Sequence, residues 1–280
     1  MNKKSGMVMN ILLYLLVFML AQFLASSLVM FFFFLKNIGS LKFSTDLMYL
    51  QEEMDNFISQ YTPVIYIVSF IISILGYFIV FKIQKRNIVK EAGFSKMHFY
   101  KFFILIFVGI AANIVVDFIL NAIVYYFDLE HSFSEYNVLI EKILSSNSVI
   151  LLLLSTGILF PILEEVIFRG FIFNELKKNI SITKAIVIQA FLFGLLHLNL
   201  IQGSYAFLLG LFFAYIYLWT ESILGPITLH IGINSYTVLA TKFPQLSVDN
   251  ILLLVLSVFV LIMGTTVIYK TRIKLDNELI

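Results

Sequence analysis

Six polar residues in three short motifs could perform hydrolytic chemistry in this chain. Glu164, Glu165 and Arg169 form E-E-x-x-x-R, Phe193 and His197 form F-x-x-x-H, and His230 and Asn234 form H-x-x-x-N. All lie in strongly apolar sequence. An ionisable group at the centre of a bilayer costs roughly 2.5–3.5 kcal/mol on insertion scales, so by default such groups mark a functional site. Two carboxylates, an arginine, two histidines and an asparagine could together hold and activate a water molecule.

Spacing suggests a role for each residue. On a helix, Glu165 and Arg169 are i, i+4 neighbours with the acid first, the favourable order for an ion pair. Glu164 is turned about 100° away, so this pairing leaves it free to act as a general base. Pro161 removes one helical hydrogen bond just upstream and opens the backbone there. His197 sits in the next apolar run. It and Glu164 are each about 16 residues, or ~24 Å, from the turn near Asn179–Ser181, so they can meet across two antiparallel helices. Phe193, one turn before His197, could wall the site. His230 and Asn234 share a helix face and can donate hydrogen bonds to a developing oxyanion.

Each motif also has a plain structural reading, as a buried ion pair, a satisfied histidine or hydrogen bonding between helices. A fourth polar stripe, Asn113, Asp117 and Asn121, is read first as interhelical bonding and second as cavity lining. His98 and His131 fall in expected loops and receive no role.

Two mechanisms fit these residues. In one, Glu164 and His197 activate a water that attacks a peptide carbonyl, and His230 and Asn234 stabilise the tetrahedral oxyanion. In the other, Glu164, His197 and His230 ligate Zn2+, which acidifies the water. The local H-E-x-x-H pattern of zinc proteases is absent, and metal-free catalysis is favoured because the ligand set would stop at two histidines and a carboxylate. No Ser-His-Asp arrangement stands out. With no cysteine, disulfides, thiolate metal sites and a cysteine nucleophile are excluded.

Composition sets the class. Of 280 residues, 60% are hydrophobic and 13% charged, with a mean hydropathy of +0.97. Such a chain belongs to the membrane class rather than the soluble one. The net charge is only +2, and its basic residues lie between apolar runs, which argues against nucleic acid as a partner. The richness in Phe, Ile and Lys suggests an AT-rich, bacterial genome.

The sequence predicts an all-α polytopic protein with eight spans: Met7–Leu35, Pro63–Ile83, Phe102–Phe127, Val149–Asn174, Thr183–Leu200, Ala206–Trp219, Pro226–Leu239 and Ile251–Tyr269. The first is too long for a signal-peptide core, which needs about 7–15 residues, and reads as a retained span. One integral membrane domain is expected over 1–280. Basic sets (Lys3/Lys4; Lys82 to Lys96; Lys177, Lys178 and Lys184; Lys270 to Lys274) alternate with acidic sets (Asp46 to Asp55; Asp128, Glu130 and Glu135). Through the positive-inside rule both termini are expected in the cytosol. The site is expected near the inner ends of spans four, five and seven, with access from the cytosolic side.

At these residues the chain resembles the CPBP family, the CAAX prenyl proteases and bacteriocin-processing enzymes, also called the Abi family. Its pattern is E-E-x-x-x-R, then F-x-x-x-H, then H-x-x-x-N or D. The matching stretches are Glu164 to Arg169, Phe193 to His197 and His230 to Asn234, within a core of roughly 150–240. The resemblance implies an eight-helix intramembrane endopeptidase. Glu164 would be its general base, His197 would be the partner on the water, and His230 and Asn234 would stabilise the oxyanion. Glu165 and Arg169 would hold the site together. The family is labelled a metalloprotease, so Zn2+ is the one cofactor the resemblance suggests. It also suggests a hydrophobic peptide or membrane-protein segment as substrate, and roles in peptide maturation, pheromone signalling or self-immunity. The competing reading is a non-enzymatic membrane partner, an immunity protein or a sensor-kinase scaffold. A proton-carrying transporter is disfavoured because no inverted repeat is evident.

Overall fold

A computed structural model describes residues 3–37, 47–246 and 250–272. Asp46 and Lys274, counted among the loop charges, lie outside them. Among the described residues these helices follow one another, besides a 3-10 turn at Pro244–Leu246: α1 Lys3–Asn37, α2 Leu47–Ile83, α3 Ile88–Ala92, α4 Phe99–Phe127 and α5 Glu130–Ile143, then α6 Val149–Lys177, α7 Ile182–Leu195, α8 Leu200–Thr220, α9 Leu224–Lys242 and α10 Ile251–Lys270. No strand occurs among the described residues. The fold is that of a polytopic helical membrane protein.

Each of the eight expected spans falls on a helix, but among the described residues only α1, α2, α4, α6, α8 and α10 are long and apolar enough to cross a bilayer. At 14 residues, α7 is only ~21 Å long, against a hydrocarbon core of about 30 Å. Polar residues from Thr228 to Thr237 interrupt α9. Two boundaries move. The second helix begins at Leu47 rather than Pro63, because the polar stretch before Pro63 is itself a good helix former. The helix bearing the histidine motif ends at Leu195, five residues short of the expected Leu200. There Leu198 adopts φ +53°, and Asn199 caps α8 by accepting from the N–H groups of Ile201 and Gln202, each at 3.0 Å. Two further helices, α3 and α5, lie between the expected spans.

Packing explains the apolar surplus. On α1, Ile11, Tyr14, Phe18, Ala21, Ala25, Val29 and Phe33 are buried at helical spacing, while Leu12, Leu16, Phe23 and Phe31 stay exposed, as lipid-facing residues do. The α9 helix lies against α4 and α6, α8 against α7, and α10 against α4. Small residues let α4 and α9 meet. A Cβ on Gly232 would lie 2.5 Å from the carbonyl oxygen of Ile106, and one on Gly109 would lie 2.2 Å from that of Leu229. The apolar window of α6 is 50% buried and that of α10 only 11%, which puts α6 at the centre of the bundle.

The charges sort to two ends. Arg86 reaches Glu91 at 2.8 Å and Glu175 at 2.9 Å, and Lys178 reaches Glu91 at 2.7 Å. Asn10 joins through Glu175, and Ser95 bonds the carbonyl of Glu221. The basic loops thus come together at one end. At the other, Lys142 of α5 pairs with Asp55 of α2 at 3.4 Å.

Candidate active site

The geometry of α6 is set by Pro161. Two π-helical turns, Leu153–Leu159 and Val166–Ile172, flank an α-helical segment, Phe160–Glu165. Proline lacks the N–H that an α-helical turn would use, and the wider turn directly before it accommodates that loss. Single π turns recur at functional sites. Here they set the angle at which Glu164 and Glu165 leave the helix.

The expected ion pair forms. Nη1 of Arg169 donates to Oε1 of Glu165 at 2.9 Å, and both side chains are 0% exposed. The same Oε1 accepts from Nδ1 of His230 at 2.8 Å. An ionised carboxylate only accepts, so Nδ1 carries a proton and Nε2 is turned elsewhere. Nε2 lies 3.7 Å from Oε2 of Glu164. The carboxylate free of the arginine therefore faces the histidine that its neighbour orients. Nothing in the spacing of α6 announces that Glu165 bridges to a residue 65 positions away.

Arg169 is held by more than charge. Its guanidinium lies over Phe193 at 4.4 Å and Phe213 at 4.8 Å, and Nη2 donates to the carbonyl of Gly210 at 3.3 Å. A Cβ on Gly210 would stand 3.3 Å from that Nη2, so the glycine leaves room for the arginine. Phe193 also meets the ring of His197 edge-on at 5.0 Å. It is a wall residue, as its position one turn before the histidine suggested.

His197 lies just beyond the C-terminus of α7, not inside a span. Its Nδ1 bonds the carbonyl oxygen of Phe193 at 2.9 Å, which leaves Nε2 for another partner. It sits at the end of α7 away from the basic turn at Lys177 and Lys178, so the expectation of a site at that helix's inner end is corrected. Asn234 donates from Nδ2 to the carbonyl of Thr156 at 3.2 Å. An amide nitrogen has two hydrogens, so the second remains available.

Glu164, His197, His230 and Asn234 line one cavity of ≈ 390 Å³. Phe168, Phe193 and Phe213 supply apolar wall, and Tyr66 of α2 and Tyr136, Ile140 and Ile143 of α5 extend it. The lining draws on α5 at the acidic end and on no residue of the basic loops, contrary to the access expected from the cytosolic, basic side. Asn113 and Asp117 of the fourth stripe line this cavity, and Asp117 and Asn121 line a neighbouring one of ≈ 590 Å³. His98 and His131 line neither.

Among the described residues no three His, Asp or Glu side chains gather as metal ligands, so Glu164, His197 and His230 are not drawn together as a zinc set; Nδ1 of each histidine is engaged and Nε2 stays free.

Residues 146–236 match the family model described as "Type II CAAX prenyl endopeptidase Rce1-like". The chain is also 33% identical over 94 residues to a Bacillus subtilis (strain 168) protein named "Putative membrane peptidase YdiL". That match covers 34% of this chain and 38% of the relative. No solved structure matches. The family match takes in all three motifs in order, so residues 146–236 are similar to the CAAX prenyl endopeptidase family, and the two comparisons together support a CPBP assignment for this part of the chain.

Proposed function

We propose that this protein is an intramembrane endopeptidase that hydrolyses a peptide bond in a hydrophobic peptide or membrane-protein segment. The observation that carries the reading is the convergence of Glu164, His197, His230 and Asn234 on one cavity inside helices otherwise built for lipid. Glu164 takes a proton from a water as its oxygen attacks the scissile carbonyl. The free Nε2 of His197 positions that water. The oxyanion receives hydrogen bonds from the second N–H of Asn234 and, when the imidazole is doubly protonated, from Nε2–H of His230. Glu165 fixes that imidazole through Nδ1, and Arg169 holds Glu165. Glu164 then returns its proton to the leaving amine. All of these steps run on protein groups and water. The walls from α5 support substrate access from the acidic end. Peptide maturation, pheromone processing or self-immunity are the contexts in which such an activity would serve.

The test is cleavage of a hydrophobic-peptide library by purified protein in detergent. Wild type would be compared with Glu164→Gln and His197→Ala, and zinc content measured on the same samples. Loss of cleavage in both variants, with unfolding temperatures unchanged, is expected. Full biological activity in Glu164→Gln would move the reading to a non-enzymatic membrane partner.

A further inference from the structure

Three buried polar atoms on residues that line the catalytic cavity have no role in the mechanism above. They are Oδ1 of Asn113 on α4, Oγ1 of Thr156 on α6 and Nε2 of Gln22 on α1, and none has a hydrogen-bond partner within the protein. Asn113 is the most confined, at 9% exposure. Its amide is oriented by its neighbours. Nδ2 donates to Oγ1 of Thr237 at 2.8 Å, and the Thr237 hydroxyl donates to the carbonyl of Ile233 at 3.1 Å. With the threonine hydrogen already used, the asparagine must present its nitrogen there, which leaves its oxygen without a partner.

Tying α4 to α9 uses only the amide nitrogen, so the acceptor half is surplus to a structural role. A buried acceptor left unmade costs free energy. Substrate backbone offers the complementary group. A membrane-embedded segment must give up helical hydrogen bonds to expose a scissile bond, and in hydrocarbon its freed N–H has no water to turn to. We infer that Asn113 is a substrate-binding residue whose Oδ1 accepts a backbone N–H of the unwound peptide in the cavity that Glu164 also lines. The Thr156 hydroxyl is placed to donate to a carbonyl of the same segment. An extended chain presents N–H and C=O in alternation, which suits an acceptor on α4 and a donor on α6. Asn234 bonds the backbone of that same Thr156, which links this grip to the oxyanion group.

This inference rests on the peptidase reading. The experiment takes a cleaved peptide and N-methylates its backbone one position at a time. In wild type, one position is expected to lower kcat/KM about threefold to tenfold, mainly through KM, as loss of one hydrogen bond does. In Asn113→Leu that penalty should vanish while other positions keep theirs. Thr237→Val, which removes the acceptor that orients the Asn113 amide, should reduce that penalty in part. If Asn113→Leu fails to fold, Asn113→Ser carries the same measurement. An identical N-methyl profile in wild type and the Asn113 variant would overturn this inference alone. A wild type that cleaves nothing would defeat the peptidase reading and this inference with it.

Discussion

At the scale of single residues, Oε1 of Glu165 is the pivot, shared by Arg169 and His230. Breaking a buried pair from one side leaves an uncompensated charge and costs about 3–5 kcal/mol. Glu165→Gln is therefore expected to lower the unfolding temperature in detergent clearly. The double variant Glu165→Gln/Arg169→Met should regain much of that stability but no cleavage, because His230 has lost the carboxylate that orients it. A Glu165→Gln protein as stable as wild type would contradict this account. Asn234 differs, since it is only partly buried and gives one hydrogen to a backbone carbonyl. On the proposed mechanism Asn234→Ala should lower kcat by about a hundredfold to a thousandfold with KM little changed, as steady-state kinetics would show.

At the scale of elements, the α4–α9 contact decides where His230 stands. An alanine methyl at position 232 would meet backbone, the Ile106 carbonyl at 2.5 Å, and backbone cannot step aside. Gly232→Ala is expected to cost about 1–3 kcal/mol and to impair cleavage by shifting His230 two residues away. Gly76→Ala is the control, because its methyl meets only a movable side-chain atom of Val17 at 2.8 Å. Equal loss in both variants would refute the contact argument. Pro161 acts on α6 in the same way. Pro161→Ala restores an N–H, lets the π turn relax toward α and rotates Glu164. Cleavage should fall while the unfolding temperature holds.

At the scale of the molecule, the two charged ends have different work. The Arg86 guanidinium and the Lys178 ammonium hold the Glu91 carboxyl down at about 2, from an ordinary 4.5. Its lowered folded value means that it stabilises the fold fully above pH 4.5 and loses that contribution as pH falls toward 2. The stability advantage of wild type over Arg86→Gln should therefore shrink across that window, read by thermal unfolding at stepped pH. An advantage constant down to pH 2 would dissociate the network from stability. Access can be mapped on the cysteine-free chain by placing single cysteines at positions 164 and 197. Labelling from the acidic end is expected, and labelling confined to the basic end would defeat the proposed route.

The sequence by itself determined the class, the motifs and every contact that the helical period makes local. Charge and apolar runs show the membrane helices, and i, i+4 spacing shows the Glu165–Arg169 pair and the Phe193–His197 neighbours. These are legible because 3.6 residues per turn sets distances within one element regardless of what surrounds it. Tertiary structure alone decided the bond between Glu165 and His230, the place of His197 past the end of α7, the α5 wall and the unpartnered acceptor of Asn113. Each depends on how helices distant in sequence lie against one another, and that follows from glycine contacts and side-chain volumes summed over the whole bundle.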